Sequence, residues 1–128
     1  MMQQKKYADT DFFLALMKES DWLKEKAKKI YEKNKENLYV SPFTLAEIMI
    51  ICKRESIPTK ETLIQISRIA KLENISWNIF LRACDYIEKG ATIFDSLLIA
   101  HTSENDKIIS SDSIYEKFGF DVIDLRKN

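Results

Sequence analysis

Short extended runs that each hand over to a helix constrain this chain more than any other feature of it. Lys6–Ala8 reads as a strand and leads into Asp9-Thr10-Asp11 and an apolar helix, FFLALMK. Leu38–Val40 reads as a second strand, followed by Ser41-Pro42. That pair is a helix-start signal, because proline at the first helical position forfeits no hydrogen bond. A third strand is expected within 70–75, a fourth over 107–110 and a last over 121–125, after Gly119 turns the chain. Strands separated by helices run parallel, with helices covering both faces of the sheet. The expected fold is therefore α/β, a three-layer α/β/α sandwich around a central parallel sheet of about five strands.

Helical spacing of apolar residues fills in the rest. It selects Leu23, Ala27, Ile30 and Tyr31 after a cap at Ser20, and Leu45, Ile48, Met49 and Cys52 after Ser41-Pro42. Following a break at 56–59 come Leu63, Ile66 and Ile69. Ser76 opens a strongly amphipathic helix with Trp77, Phe80, Leu81, Cys84 and Ile87 aligned, and Gly90 closes it. Helices over about 92–102 and 114–118 complete the count.

Composition narrows the class. Only two glycines and two prolines occur in 128 residues, which argues against a collagenous, disordered or turn-rich β protein. Apolar residues make up 45% of the chain, enough for one core, so residues 1–128 are expected to form one domain. Cys52 and Cys84 read as core thiols, not a disulfide. No leader or membrane-spanning run is visible, so a cytoplasmic protein is expected. The formal net charge of zero lacks the footprint of a strong non-specific nucleic-acid binder. Lys24, Lys26, Lys28 and Lys29 read as a solvated face, with a local nucleic-acid contact as the alternative. Trp22 and Phe43 read as core, with an interface as the alternative.

Four acids lie where an extended segment gives way to a helix: Asp9, Glu47, Asp95 and Asp112. Each has a plain structural explanation. Thr44-x-x-Glu47 and Thr92-x-x-Asp95 have the form of capping boxes, and Asp9 and Asp112 suit helix N-caps. Together they say more. In a parallel sheet all strand C-termini lie on one edge, and ligands bind beyond it where the strand order reverses. If the first and fourth strands flank that reversal, Asp9 and Asp112 face each other across a crevice that Glu47 and Asp95 can also reach. Carboxylates crowded there repel one another unless a cation neutralises them, and hard divalent cations take such oxygen ligands.

At these residues the chain resembles the PIN-domain nucleases, and among them the small VapC-type toxins. The first motif is Asp9-Thr10-Asp11 before an apolar helix, and the second is Glu47 within TLAEIM. The third is Asp95 in DSLLIA, and the fourth is Ser110-Ser111-Asp112 with Tyr115; FGFDVIDL looks like the last strand. The resemblance implies a PIN-like fold and a metal-dependent endoribonuclease acting on single-stranded or looped RNA. Asp9, Glu47, Asp95 and Asp112 would hold Mg²⁺ or Mn²⁺, with Thr10, Asp11 and Ser110 hydrogen-bonded behind them. It further implies a homodimer and a small antitoxin that places an Arg or Lys among the carboxylates. Departures are Asp11 where Asn is common, Ser96 where Ala is frequent, and Ile114 where many members carry a polar residue, which bears on a second metal.

Two other readings stay open. One is a PIN fold that serves as a binding or scaffold module. The other is a haloacid-dehalogenase-like phosphatase, whose nucleophile motif Asp9-x-Asp11 resembles but which wants Thr or Val where Phe13 stands. His101, the only histidine, reads as packed rather than catalytic.

Overall fold

In the computed structural model, which describes residues 4–18, 21–102 and 106–127, strands and helices alternate along the chain. The strands are β1 (Lys6–Ala8), β2 (Leu38–Val40), β3 (Lys71–Leu72), β4 (Lys107–Ser110) and β5 (Asp121–Asp124). The helices are α1 (Thr10–Met17), α2 (Lys24–Asn34), α3 (Pro42–Arg54), α4 (Thr59–Ile69), α5 (Trp77–Glu88), α6 (Ile93–His101) and α7 (Ile114–Lys117). All pairings are parallel, in the order β3-β2-β1-β4-β5. The chain builds outward from β1 through β2 to β3, then returns to β4 on the other side, so the order reverses between β1 and β4. Their register, Tyr7 beside Ile108 and Ala8 beside Ile109, brings both strands to the same edge.

The pleat divides the core. Ala8, Leu38, Val40 and Ile109 point to one face, where Phe12, Phe13, Ala27, Ile30, Ile48, Cys52 and Ile66 from α1 to α4 cover them. Tyr7 and Ile108 point to the other, against Leu98 and Ile99 of α6 and Tyr115 of α7. The rings of Phe12 and Phe13, both fully buried, meet edge to face at 5.4 Å. Each such burial contributes about 1.5–3 kcal/mol. Phe43 of α3 packs against Ile79, Ala83, Leu97 and Ala100, where α5 meets α6. This is the three-layer sandwich expected from the alternation.

The expectations that fail are about faces rather than elements. Trp22, expected in the core, is 81% exposed. Cys84, expected buried, is exposed, and Met49 is 46% exposed, whereas Cys52 is buried as expected. On α5 the whole large stripe of Trp77, Phe80, Leu81, Cys84 and Ile87 faces water, and the helix docks through the smaller Ile79 and Ala83. Helical period identifies stripes, but which stripe meets the sheet depends on the neighbouring helix. Here Ala83 lets α6 approach closely. Ser76 occupies the N-cap position of α5 without a side-chain cap bond, and the Ser20 cap lies outside the described residues. Lys28 and Lys29 are solvated as expected, while Lys24 folds back to donate to the Lys18 carbonyl at 2.9 Å. No helix among the described residues is long and apolar enough to cross a membrane.

Candidate active site

Beyond the carboxyl ends of β1 and β4 lies an open crevice of about 600 Å³. Asp9, Asp11, Glu47, Asp95 and Asp112 line it, together with Thr10, Ser111, Ser113 and Arg126. All four sequence-predicted acids are therefore brought to one place by elements far apart in the chain.

Asp9 sits at the reversal point. Its backbone N–H donates to the Ile109 carbonyl at 2.9 Å, extending the β1–β4 pairing by one residue. Its side chain caps α1, with Oδ1 accepting from the Thr10 N–H at 2.8 Å. Oδ2 accepts from Ser110 Oγ at 3.1 Å and from the Tyr115 hydroxyl at 2.9 Å. Asp9 thus does cap a helix, but the cap uses only one of its two oxygens.

Glu47 does not form the expected capping box. Ser41 caps α3 instead, accepting from the Phe43 N–H at 3.2 Å, and Glu47 lies deeper in the helix. There its Oε1 accepts from Thr10 Oγ1, which turns the carboxylate towards α1. At α6 half of the box forms. Thr92 Oγ1 accepts from the Asp95 N–H at 3.2 Å, while the Asp95 carboxylate accepts from Tyr115 at 3.0 Å. Asp112 accepts from the Ile114 N–H at 3.0 Å through Oδ1, a local turn bond at the mouth of α7.

Two residues of this network carried no assigned role in the sequence. Tyr115 is completely buried, yet its hydroxyl reaches both Asp9 and Asp95. A phenol has one proton, so two carboxylates share a single donor. Ser111 donates to Asp11 Oδ2 from its backbone N–H at 2.8 Å and also from its hydroxyl. Tyr115 was visible only as the aromatic of the fourth signature, since sequence gives no sign of where its hydroxyl ends.

The electrostatics are those of a site short of positive charge. Burial pushes the Asp9 carboxyl up to about 7; Asp11 and Glu47 add to the rise, while the Thr10 N–H and Tyr115 hydroxyl oppose it. Burial also raises Asp11, with Asp112 contributing and the Ser111 donors opposing. Tyr115 is held far above the usual phenol range by burial and then by the charges of Asp9 and Asp95. Among the described residues Asp11 Oδ1 is buried with no hydrogen-bond partner.

This all-oxygen, anionic donor set has the chemistry of a hard divalent cation site. Among the described residues no three His, Cys, Asp or Glu have metal-holding spacing. His101 lies outside the crevice, with Nδ1 3.1 Å from Ser41 Oγ and Nε2 2.7 Å from the Asn74 carbonyl. A carbonyl only accepts, so Nε2 carries the proton, and the residue is packed as expected.

A PIN domain family model matches residues 6–121. No curated protein sequence matches the chain. Among solved structures, VapC20 of Mycobacterium tuberculosis, described as a Sarcin-Ricin loop cleaving toxin, is 15% identical with a TM-score of 0.71. That match covers 91% of this chain and 96% of the other. A toxin–antitoxin complex from Klebsiella pneumoniae is 18% identical with a TM-score of 0.75, over 94% of this chain and 98% of that one. DNA-bound VapBC from Salmonella typhimurium is 15% identical with a TM-score of 0.69, over 96% and 99% respectively. Such identities speak to fold alone, whereas the family model spans nearly the whole chain: the protein belongs to the PIN domain family.

Proposed function

We propose that this protein is a metal-dependent endoribonuclease acting on single-stranded or looped RNA, and the toxin of a toxin–antitoxin pair. One observation carries the reading: Asp9, Glu47, Asp95 and Asp112 line a single crevice beyond the sheet edge of a PIN fold. A bound Mg²⁺ or Mn²⁺ would supply water activation and stabilise the leaving oxygen. The chain's own residues would do the holding. Ser110 and Tyr115 orient Asp9, Thr10 orients Glu47, and Tyr115 links Asp95 to the same network. The Asp11 carboxylate adds a further acceptor to the crevice wall. The toxin and toxin–antitoxin descriptions of the structural neighbours support the same reading. An antitoxin would place a cationic side chain among the carboxylates, replacing the metal electrostatically. The exposed apolar stripe of α5 suits a second copy of this chain, and the protein would act in the cytoplasm.

Calorimetric titration with Mn²⁺, beside Asp9→Asn and Asp112→Asn, tests this together with RNA cleavage in the presence and absence of EDTA. Uptake lost in both variants and cleavage abolished by chelation are expected. Cleavage that persists in EDTA contradicts the mechanism. The second reading is a PIN fold that binds without cutting. Absence of Mn²⁺ uptake at millimolar concentration selects it.

A further inference from the structure

We propose that Arg126 is a phosphate-holding residue of this crevice, presenting a pre-ordered guanidinium to the backbone of the RNA strand that enters it. The inference rests on the nuclease reading above and adds a substrate contact that the four acids cannot make.

The topology puts Arg126 there. Asp124 ends β5 in register with Ser110, the last residue of β4, and the Leu125 N–H donates to the Ser110 carbonyl at 3.1 Å. The next residue therefore emerges beside the Ser111-Asp112 segment, and Arg126 joins the wall of the acidic crevice. Among the described residues that line the crevice it is the one cation. An RNA strand is a polyanion, and carboxylates alone repel it.

The guanidinium is held rather than loose. Asp124, almost fully buried, accepts from Arg126 Nε at 3.1 Å and from Nη2 at 2.9 Å, a fork-to-fork pairing. The Arg126 backbone N–H donates to the same carboxylate at 2.8 Å. Arginine has five N–H donors, so this clamp leaves three, two on Nη1 and one on Nη2. That remainder matches two phosphate oxygens. A free arginine side chain has many rotamers, and a clamp that fixes the plane beforehand reduces what phosphate binding must forfeit. A simple surface pair between residues two apart would add little stability and leave RNA affinity untouched.

The test is fluorescence anisotropy of a labelled random-sequence RNA pool, with Ca²⁺ in place of Mn²⁺, across a KCl series. It uses the full chain and its Arg126→Met, Arg126→Lys and Asp124→Asn variants, with Mn²⁺ calorimetry on each. Arg126→Met should weaken RNA binding about tenfold, as expected for a hydrogen bond to a charged group. It should also flatten the salt dependence by about 0.7 in log–log slope, one released counterion on a single strand. Arg126→Lys should keep the slope and regain only part of the affinity, because an ammonium lacks the fork. Asp124→Asn should keep the slope while losing affinity, since the cation remains but is no longer held. Unaltered Mn²⁺ uptake in Arg126→Met shows that the crevice survives the change. If the parent binds Mn²⁺ and RNA and Arg126→Met matches it on affinity and slope, the assignment falls and the nuclease reading stands. If the parent binds no RNA the assignment falls as well, and Mn²⁺ uptake then decides the nuclease reading separately.

Discussion

Asp9 and Asp11 draw carboxylates away from water, whereas Trp77, Leu81 and Cys84 leave apolar side chains in it, at 81% and 63% exposure for the first two. Both arrangements oppose the rule that settles the rest of the molecule, where Phe12, Phe13 and Ile99 are buried and the lysines of α2 are mostly solvated. The crevice concentrates negative charge that folding alone would disperse. The α5 stripe exposes apolar surface that folding alone would cover, with Ile75 and Phe80 extending it. Departures from local consistency of these two kinds are characteristic of binding surfaces. They differ in kind. A charged crevice calls for a counter-ion and tolerates no vacancy in its donors, while an apolar face calls for area and tolerates single substitutions.

The largest effect should come from the crevice. Asp9→Asn should reduce Mn²⁺ affinity and RNA cleavage by at least about a hundredfold, since even residues behind a metal's ligands cost about 10–100-fold. In metal-free protein the same change should raise Tm by a few degrees, because it removes the most crowded charge of the cluster, a stability–function trade-off. Differential scanning calorimetry with and without Mn²⁺ reads both signs, and a lower metal-free Tm would break the contrast drawn here. Tyr115→Phe comes next. The buried ring stays and only the shared hydroxyl goes, so Mn²⁺ affinity should fall about tenfold while the far-ultraviolet circular dichroism is unaltered. Parent-like affinity would reduce Tyr115 to a core residue.

How much of this could be read beforehand divides along the same line. The order of elements was legible because apolar period and caps are local, and so β1, β2, β4 and β5 fall where the sequence puts them. The parallel sheet and its reversal follow from that alternation, which is why Asp9 and Asp112 could be placed at one edge. What stayed hidden depends on tertiary partners. Nothing in TLAEIM shows that Glu47 turns to Thr10 instead of capping its own helix. Tyr115 looks like any core aromatic until its hydroxyl is seen between two carboxylates. Trp77, Phe80, Leu81 and Ile87 form the stronger stripe of α5, and a reading by period alone buries them in place of Ile79 and Ala83.

The apolar face gives a smaller and different signature. Leu81→Lys should change monomer stability by no more than about 0.5 kcal/mol, as for exposed positions generally. It should nevertheless lower the assembled mass seen by sedimentation, with Mn²⁺ uptake preserved. Ala83→Leu on the buried side of the same helix should instead destabilise the protein by about 1–3 kcal/mol through overpacking against α6. If Leu81→Lys proves as damaging to stability as Ala83→Leu, the two sides of α5 are not distinct and the comparison fails.

The smallest effect lies between the two regions, at His101. Its ring pins the segment before α5 through the Asn74 carbonyl and the start of α3 through Ser41, and packs against Tyr7 and Phe43 at 5.5 and 6.2 Å. Burial lowers its pKa below the usual 6.5; the Asn74 bond and Glu73 oppose the shift, and Lys5 adds to it. The folded protein therefore binds this proton less readily than the unfolded chain does. Stability from this residue is complete above the unfolded value and declines as pH falls through 6.5 towards the folded value. Protonation also turns Nδ1 into a donor, so it can no longer accept from Ser41. In thermal melts from about pH 7.5 to about 5.5 the parent should lose Tm relative to His101→Gln, against the stability that protonation of Asp9 adds in both proteins over the same range. A pH dependence identical in His101→Gln would leave the imidazole no part in it, and the crevice carboxylates, whose raised pKa values add stability on acidification, would then govern that pH range alone.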